Sequence, residues 1–416
     1  MAMTKQERSW ILYDCANSAQ TLIITTAILP IFFKSFAAKG MDDTVSTAYW
    51  GYANSIAFAI IAVMAPFLGA LADHRGYKKP LFTGFLIFGL LSTLALVFVG
   101  EGQWLLCAVI FGLSTIGFYG SIVFYDSFLV DVTTEERMDW VSSSGFAWGY
   151  IASVIPYIAC MLIIANYKAL GFESTLMPTR IAFVIAVVWW FVLTIPLLRN
   201  VKQVNFAPTS KRPVAAAFAR IIETLRDIPK YKQLFLFLIA YFCYIDGVNT
   251  IYKMSGPFAL DVGISSSELM LILLVTQIVA FPFALLYGWL AKWFGTKPMI
   301  LVGIATYFIV VTVAYRIDSS MDFWVLAMLV ASAQGGIQAL SRSYFGKLVP
   351  KDRAAEFFGF YDIFGKFASI AGPTLVGILG TATGDTRNGV LSLVVLFIIG
   401  GVLLLQVREK AAEQTN

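Results

Sequence analysis

Seven ionisable residues lie inside stretches that are otherwise apolar: Asp14, Asp126, Asp246, Asp362, Lys253, Arg342 and Lys366. On insertion scales such a side chain costs about 2.5–3.5 kcal/mol at mid-membrane, so each is a candidate for function by default. Asp14, Asn17, Ser18, Thr21 and Thr25 follow i, i+3/i+4 spacing and form one polar stripe on a helix. Asp246, Asn249, Thr250 and Lys253 form a second, and Gln334, Gln338, Ser341 and Arg342 a third. Ser121 and Tyr125 share a face, with Asp126 next to it. Arg342, with Gln338 one turn earlier, suits a carboxylate or phosphate held bidentately; the alternative is a structural ion pair with Asp126. Asp14, Asp126 and Asp246 are candidates for carrying a coupling proton. For Asp14 and Asp246 the alternative is a hydrogen-bonded helix anchor packed against Asn17 or Asn249. Asp362 and Lys366, at i, i+4, either neutralise each other or contact a substrate. Lys34 lies close enough to a helix end to snorkel.

Other chemistries lack their parts. The single histidine, His74, sits in a charged turn, and Cys15, Cys107, Cys160 and Cys243 are scattered singly through apolar segments. Without CxxC or Cys/His spacing, no metal site is expected, and the cysteines read as small apolar helix residues. No phosphate-cradling GxxxxGK(S/T) segment occurs, so neither ATP hydrolysis nor a cofactor is expected. With so few general-base options an intramembrane enzyme ranks last.

The elements that hold these residues are set by composition. The 416 residues are 59% hydrophobic and only 13% charged, against about 25% charged in soluble chains. Apolar runs bounded by charged or Gly/Pro turns predict spans near 10–36, 46–72, 80–99, 103–130, 140–165 and 179–198. Six more follow near 233–256, 267–290, 298–315, 322–346, 356–381 and 389–407. The first run is too long for the apolar core of a signal peptide. Of the 30 Lys and Arg, four lie in spans (Lys34, Lys253, Arg342, Lys366) and five on one set of connections (Lys39, Lys168, Arg180, Arg316, Arg387). The remaining 21 lie on the other set and at the termini, which puts both termini in the cytoplasm. The net charge of +5 belongs to those connections and implies no nucleic-acid partner. Three regions are therefore expected: 1–198, a linker 199–232, and 233–416. Within the linker, Pro213 precedes 214–228, where Phe218, Ile221, Ile222 and Leu225 oppose Arg220, Glu223 and Arg226. That pattern reads as an amphipathic helix at the inner membrane surface, or equally as a tether between halves.

The second half echoes the first in order. Gly69-Ala-Leu71-Ala72-Asp73-His-Arg75-Gly76-Tyr-Lys78-Lys79 is answered by Gly288-Trp-Leu290-Ala291-Lys292-Trp-Phe-Gly295-Thr-Lys297. Asp14-Cys-Ala-Asn17-Ser18 is answered by Asp246-Gly-Val-Asn249-Thr250, and Gly145-Phe-Ala-Trp by Gly359-Phe-Tyr-Asp. Together these argue for duplication. Gly112, Gly117 and Gly120, and the pair Gly145 and Gly149, are expected to let helices approach closely.

The 69–79 segment resembles the signature between helices 2 and 3 of the major facilitator superfamily. A narrower set is similar to that superfamily's vacuole-effluxer branch: Trp10-Ile-Leu-Tyr13-Asp14-Cys-Ala-Asn17-Ser18-Ala19, Tyr244-Ile-Asp246-Gly247-Val-Asn249-Thr250 and Ser341-Arg342-Ser343-Tyr344-Phe345. That branch includes autophagy-related vacuolar amino-acid exporters and uncharacterised bacterial proteins. The resemblance implies an all-α integral membrane fold of twelve transmembrane helices in two pseudo-symmetric six-helix bundles. It also implies that helices 1, 4, 7 and 10 surround a central cavity, which is where the polar stripes fall. Asn17, Tyr125, Asn249, Gln338 and Arg342 are then the expected substrate contacts.

In the family the acid matching Asp73 contacts the cytoplasmic start of helix 11, near Arg353–Glu356 here. A helix N-terminus favours an anion, and such a contact exists only when the cytoplasmic side is closed. Gly69, Asp73, Arg75, Gly76 and Lys78 thus form an expected gating motif, the alternative being an ordinary solvated loop. The second copy departs from the pattern with Lys292 in the acid's place; Lys292 is expected to pair with Glu136 or Asp139. The resulting expectation is a secondary transporter working by alternating access, its expected partners being a proton, the lipid bilayer and a small polar solute such as an amino acid or other zwitterion. A lipid scramblase or a non-transporting scaffold is the alternative. Compact loops and the absence of an Asn-x-Ser/Thr acceptor suit a bacterial inner membrane.

Overall fold

The computed structural model describes residues 2–208, 212–226, 228–261, 264–317, 319–368, 371–383 and 386–408. Lys211 and Lys410, two of the cations used to orient the chain, lie outside the described residues. Among the described residues, twelve helices are long and apolar enough to cross a membrane. The first six are span 1 (Lys5–Ala37), span 2 (Tyr49–Ala72), span 3 (Lys78–Phe98), span 4 (Trp104–Val132), span 5 (Glu135–Ala165) and span 6 (Leu176–Asn200). The rest are span 7 (Ile228–Lys253), span 8 (Leu271–Phe294), span 9 (Thr296–Ala314), span 10 (Ser320–Leu348), span 11 (Lys351–Leu379) and span 12 (Arg387–Gln406). Their polar ends run several residues past the apolar runs, because helix ends lie in the headgroup region, where charge is tolerated. Span 1 contains two π-helical stretches, Thr21–Ile28 and Phe33–Ala37. Thr4 opens it with a capping box closed by Glu7, and Ser319 with Asp322 does the same for span 10.

The chain divides into two compact units. The first comprises Met1–Val132, Trp148–Ala217 and Ala355–Gly359; the second comprises Thr133–Ala147, Phe218–Ala354 and Phe360–Asn416. In this division the 199–232 segment is split after Ala217, the start of span 5 groups with the second unit, and Ala355–Gly359 of span 11 groups with the first.

In the first unit, spans 3 and 4 meet backbone to backbone. A Cβ on Gly117 would stand 2.4 Å from the Gly89 backbone, and one on Gly120 would strike the Phe85 ring at 2.2 Å. A Cβ on Gly149 would lie 2.5 Å from Ser18 Oγ, so spans 1 and 5 also meet through a glycine. Gly112, expected to serve the same purpose, has open space around it, because its position on span 4 faces no neighbouring helix.

Each unit repeats the same polar details. Tyr13 and Ser121 share a 2.7 Å hydroxyl hydrogen bond in the first, Tyr244 and Ser341 one of 2.7 Å in the second. Lys79 Nζ donates to the Val201 carbonyl at the end of span 6 (2.9 Å). Lys297 Nζ donates to Leu405 and Val407 at the end of span 12 (2.8 Å each). In both cases a cation meets the negative end of a helix.

Gly117→Val is expected to cost about 1–3 kcal/mol through overpacking and to lower the unfolding temperature of the detergent-purified protein. Gly112→Val is expected to leave it unchanged.

Candidate functional site

The loop between spans 2 and 3 is built around a reversal that needs glycine, since Gly76 has φ +82°. Just before it, Gly69 packs so closely on span 11 that a Cβ would lie 2.1 Å from the Ala355 carbonyl oxygen. That approach lets Asp73, fully buried, reach the first exposed donors of the helix. Its Oδ1 accepts from the Ala355 N–H (2.8 Å) and its Oδ2 from the Glu356 N–H (2.9 Å). The donors are orphan N–H groups at a helix start, where partial positive charge favours an anion. Burial nevertheless pushes the Asp73 carboxyl up from 3.8 to about 7. Lys78 and the two N–H groups act in the opposite sense, and Glu356 adds to the rise.

Lys78 is not the surface cation that its place in a basic turn suggests. It is wholly buried, 2.8 Å from Asp131 Oδ2, and donates also to the Ser127 carbonyl (3.4 Å). Asp131 Oδ1 accepts in addition from Val204 N–H (3.0 Å), Asn205 N–H (2.8 Å) and Asn205 Nδ2 (3.1 Å). The stretch after span 6 is thereby tied to the loop. Gln203 accepts from Gly76 N–H and donates to the Ala72 carbonyl, and Ala207 N–H donates to the Asp73 carbonyl (2.8 Å). Arg75 is exposed and lies 5.2 Å from the Phe206 ring. Sequence reasoning missed Asp131 and the 203–207 segment; a carboxylate at the end of span 4 was the available signal.

The second copy is organised differently. A Cβ on Gly288 would fall 2.5 Å from Ser143 Cβ, so this glycine too makes a close approach, here to span 5. Asp139 accepts from Ser343 Oγ (2.6 Å), Thr296 Oγ1 (2.8 Å) and Lys347 Nζ (2.6 Å). The expected partner of Asp139, Lys292, is instead exposed. The charge on Asp139 is met by Lys347 at the end of span 10, which corrects the sequence expectation.

Within the spans, Arg342 is almost wholly buried. It donates to Ser142 Oγ (3.0 Å) and the Ser142 carbonyl (3.2 Å), with its guanidinium 4.4 Å from the Phe146 ring centre. It therefore fixes the start of span 5. Asp14 is buried and accepts from Asn17 Nδ2 (3.3 Å). Tyr125, fully buried, stacks on Trp10 at 4.6 Å, and Asp126 next to it is buried. Asp246, also fully buried, accepts from Gly372 N–H (2.8 Å) and Thr250 Oγ1. Gly372 lies in the first turn of Ala371–Thr383, the second helical piece of span 11 after Ala354–Phe367. Asn249 is half-buried, with Nδ2 3.5 Å from the Gly365 carbonyl. Lys366 donates to Asp362 on the same helix, and both side chains retain some exposure. Gln338 is half-buried on span 10. A separate cavity in this unit, lined by Ile251, Tyr252, Leu273, Thr276, Val310 and Gln334 among others, is almost entirely apolar and holds none of the charged candidates. Among the described residues no group of His, Cys, Asp and Glu is arranged to hold a metal.

The family profile described as "Vacuole effluxer Atg22 like" matches residues 3–136 and 131–416. The chain belongs to the Atg22-like vacuole effluxer family. It is 49% identical over 415 residues to the uncharacterised MFS-type transporter YxiO of Bacillus subtilis (strain 168), covering 99% of this chain and 97% of that protein. It is 24% identical to autophagy-related protein 22 of Coccidioides immitis (strain RS), covering 86% of this chain and 72% of that one. Two solved structures share the fold. The human organic anion transporter MFSD10 (TETRAN) has a TM-score of 0.72 at 12% identity, covering 97% of this chain and all of that one. FucP in the outward conformation has 0.71 at 13%, covering 97% and 98%. This Atg22-like protein is thus an integral membrane transporter of the major facilitator superfamily, and not an enzyme.

For this Atg22-like chain the Asp73 contact carries a pH signature. A carboxyl raised by burial stabilises the state that buries it fully below its free value of 3.8, and that contribution is lost as pH rises through about 7. Between about pH 5 and about pH 8 the wild type is expected to lose about 2–3 kcal/mol of stability, at 1.36 kcal/mol per unit. The check is thermal unfolding across that range, with a flatter profile in Asp73→Asn.

Proposed function

We propose that this protein is a secondary active transporter that moves a small zwitterion of the amino-acid class by alternating access, coupled to protons. The observation that carries the substrate class is the Asp362–Lys366 pair on span 11, which keeps partial exposure with Asn249 nearby on span 7. A buried pair of opposite charges is held by mutual attraction, and losing one partner leaves an uncompensated charge. A zwitterion can enter without that penalty, its ammonium replacing Lys366 at Asp362 and its carboxylate meeting Lys366. Asn17, Tyr125, Asn249 and Gln338 supply neutral hydrogen-bonding groups on spans 1, 4, 7 and 10. Arg342, engaged with Ser142, reaches a substrate in this reading only when span 5 shifts.

The coupling proton is assigned to Asp14, Asp126 or Asp246. Asp246 has the clearest mechanical connection, because its Oδ2 holds the N–H of Gly372 at the start of the second piece of span 11. Protonation weakens that charge-assisted bond and frees the second piece of span 11, Ala371–Thr383, which follows the piece carrying Asp362 and Lys366. Asp73 latches the cytoplasmic side through Ala355 and Glu356 in the same scheme. The excess of Lys and Arg on one set of connections supports cytoplasmic termini, and the setting proposed is a bacterial inner membrane.

The test is a thermal-shift screen of the purified protein with amino acids, short peptides, sugars, nucleosides and organic acids, followed by uptake into proteoliposomes. A ligand at about 100 times its dissociation constant adds about 2.7 kcal/mol to the native state. A stabilising amino acid whose affinity drops about tenfold or more in both Asp362→Asn and Lys366→Gln is the expected result. An unchanged affinity in these variants overturns the site assignment. Uptake that ignores an imposed pH gradient overturns the coupling. Bleaching of labelled lipid on both leaflets without solute uptake overturns the transporter reading in favour of lipid scrambling.

A further inference from the structure

The helix Pro213–Arg226 in the linker is oriented the opposite way from an amphipathic helix of a soluble domain. Its fully buried residues are Ala217 and Thr224, one small and one polar. Its apolar residues Val214, Phe218, Ile222 and Leu225, which recur at i, i+4, i+8 and i+11, are each about half exposed. In a water-facing helix the hydrophobic stripe turns inward; here a large part of it does not. Span 7 begins at Ile228, two residues after the helix ends, so the helix adjoins the end of a membrane-crossing segment. Charge is arranged to match. Arg212, Arg226, Lys230 and Lys232 are exposed, and the 212–232 stretch carries only Glu223 and Asp227 as acids.

We propose that Pro213–Arg226 is a docking surface for anionic phospholipid of the adjoining leaflet, and that Arg353 transmits its occupancy to the start of span 11. Apolar side chains enter the acyl boundary while the cations meet headgroup phosphates, the usual two-part adhesion of an interfacial helix. Transmission rests on one side chain. Arg353 Nη2 donates to Thr224 Oγ1 (2.5 Å) and the Arg220 carbonyl (3.2 Å), and Nη1 donates to Tyr231 Oη (3.0 Å). Arg353 is also the N-cap residue of Ala354–Phe367, immediately ahead of the two N–H groups that Asp73 accepts from. A lipid-held linker helix fixes this guanidinium, and with it the backbone that presents Ala355 and Glu356. The effect on transport rests on the gate reading above; lipid docking itself does not.

Hydrogen exchange of the full-length protein in nanodiscs reads both steps without a substrate. One set of discs contains phosphatidylcholine alone, and in the other a third of the lipid is phosphatidylglycerol. Phosphatidylglycerol is expected to slow exchange across 213–226 and at the Ala355 and Glu356 amides. Each engaged cation is expected to contribute about fivefold in lipid preference. Combining Arg226→Gln, Lys230→Gln and Lys232→Gln should remove the preference while the protein stays folded in phosphatidylcholine. In Arg353→Lys the linker helix should remain protected while the span 11 amides no longer respond. Equal exchange in the two lipids overturns the proposal. So does protection that inorganic phosphate reproduces in phosphatidylcholine discs, or that appears only in native membranes containing other proteins. Protection of the linker helix with no response at Ala355 and Glu356 in the wild type overturns the transmission step.

Discussion

A carboxylate removed from water must find donors, and in this protein the donors it finds decide which backbone segments are fixed. Asp73 takes two N–H groups at the start of span 11, and Asp246 takes one at the start of that span's second piece. Asp131 takes a lysine, two backbone N–H groups and an asparagine amide; Asp139 takes a lysine and two hydroxyls. Each of these bonds joins elements far apart in sequence, although Asp246 also accepts from Thr250 on its own helix. Removing one partner strands a buried charge, which is far more costly than the pair is stabilising. The aspartates therefore serve less as sources of net stability than as markers of which segments belong together. The compact units follow that logic, since Ala355–Gly359 groups with Asp73 and Thr133–Ala147 groups with Lys347.

Duplication explains the frame, and charge exchange explains how its copies differ. Both halves keep the glycine that approaches a neighbouring helix start, the tyrosine–serine hydroxyl pair, and the lysine that meets the last carbonyl of the final helix. The register that matches Gly145 with Gly359 also matches Asp139 with Arg353. Where the first copy places its acid on the loop, the helix start it contacts begins with a cation directed elsewhere, towards Thr224. The second copy has a cation on the loop and the acid on the helix start, and Lys292 is left exposed because Lys347 already neutralises that acid. The two copies are thus related in shape and distinct in chemistry.

The spans were legible because the bilayer imposes one length and one polarity on every crossing, and Gly76 and Asp73 because a short motif encodes a local turn and a helix-end charge. Asp73's acceptance from span 11 came from family resemblance and not from spacing. What stayed hidden depended on contacts between distant residues. Lys78 looked like an exposed cation because nothing nearby in sequence foretells Asp131. Arg342 looked available for a ligand because its partners, Ser142 and Phe146, lie some 200 residues away. Gly112 shares its helix and its residue type with Gly117, yet only one faces a neighbour, and local periodicity does not say where the next helix stands. The Asp362–Lys366 pair was legible as a spacing, but the proximity of Asn249 was not.

The linker shows most clearly how far sequence pattern reaches. Read as a tether, it needs only length and polarity. Its first part instead forms specific bonds, with Gln203, Val204, Asn205 and Ala207 satisfying backbone or carboxylate groups of the loop and of the end of span 4. Its second part turns a small, polar face inward and leaves apolar residues outside. A passive tether requires neither arrangement. Ordering a segment costs about 1–2 kcal/mol of backbone entropy per residue, and the first part offsets that cost through hydrogen bonds to buried groups that would otherwise be unsatisfied. The second part bonds to Arg353 through Thr224 and the Arg220 carbonyl, yet leaves Val214, Phe218, Ile222 and Leu225 about half exposed, apolar surface of the kind that amphipathic helices ordinarily bury.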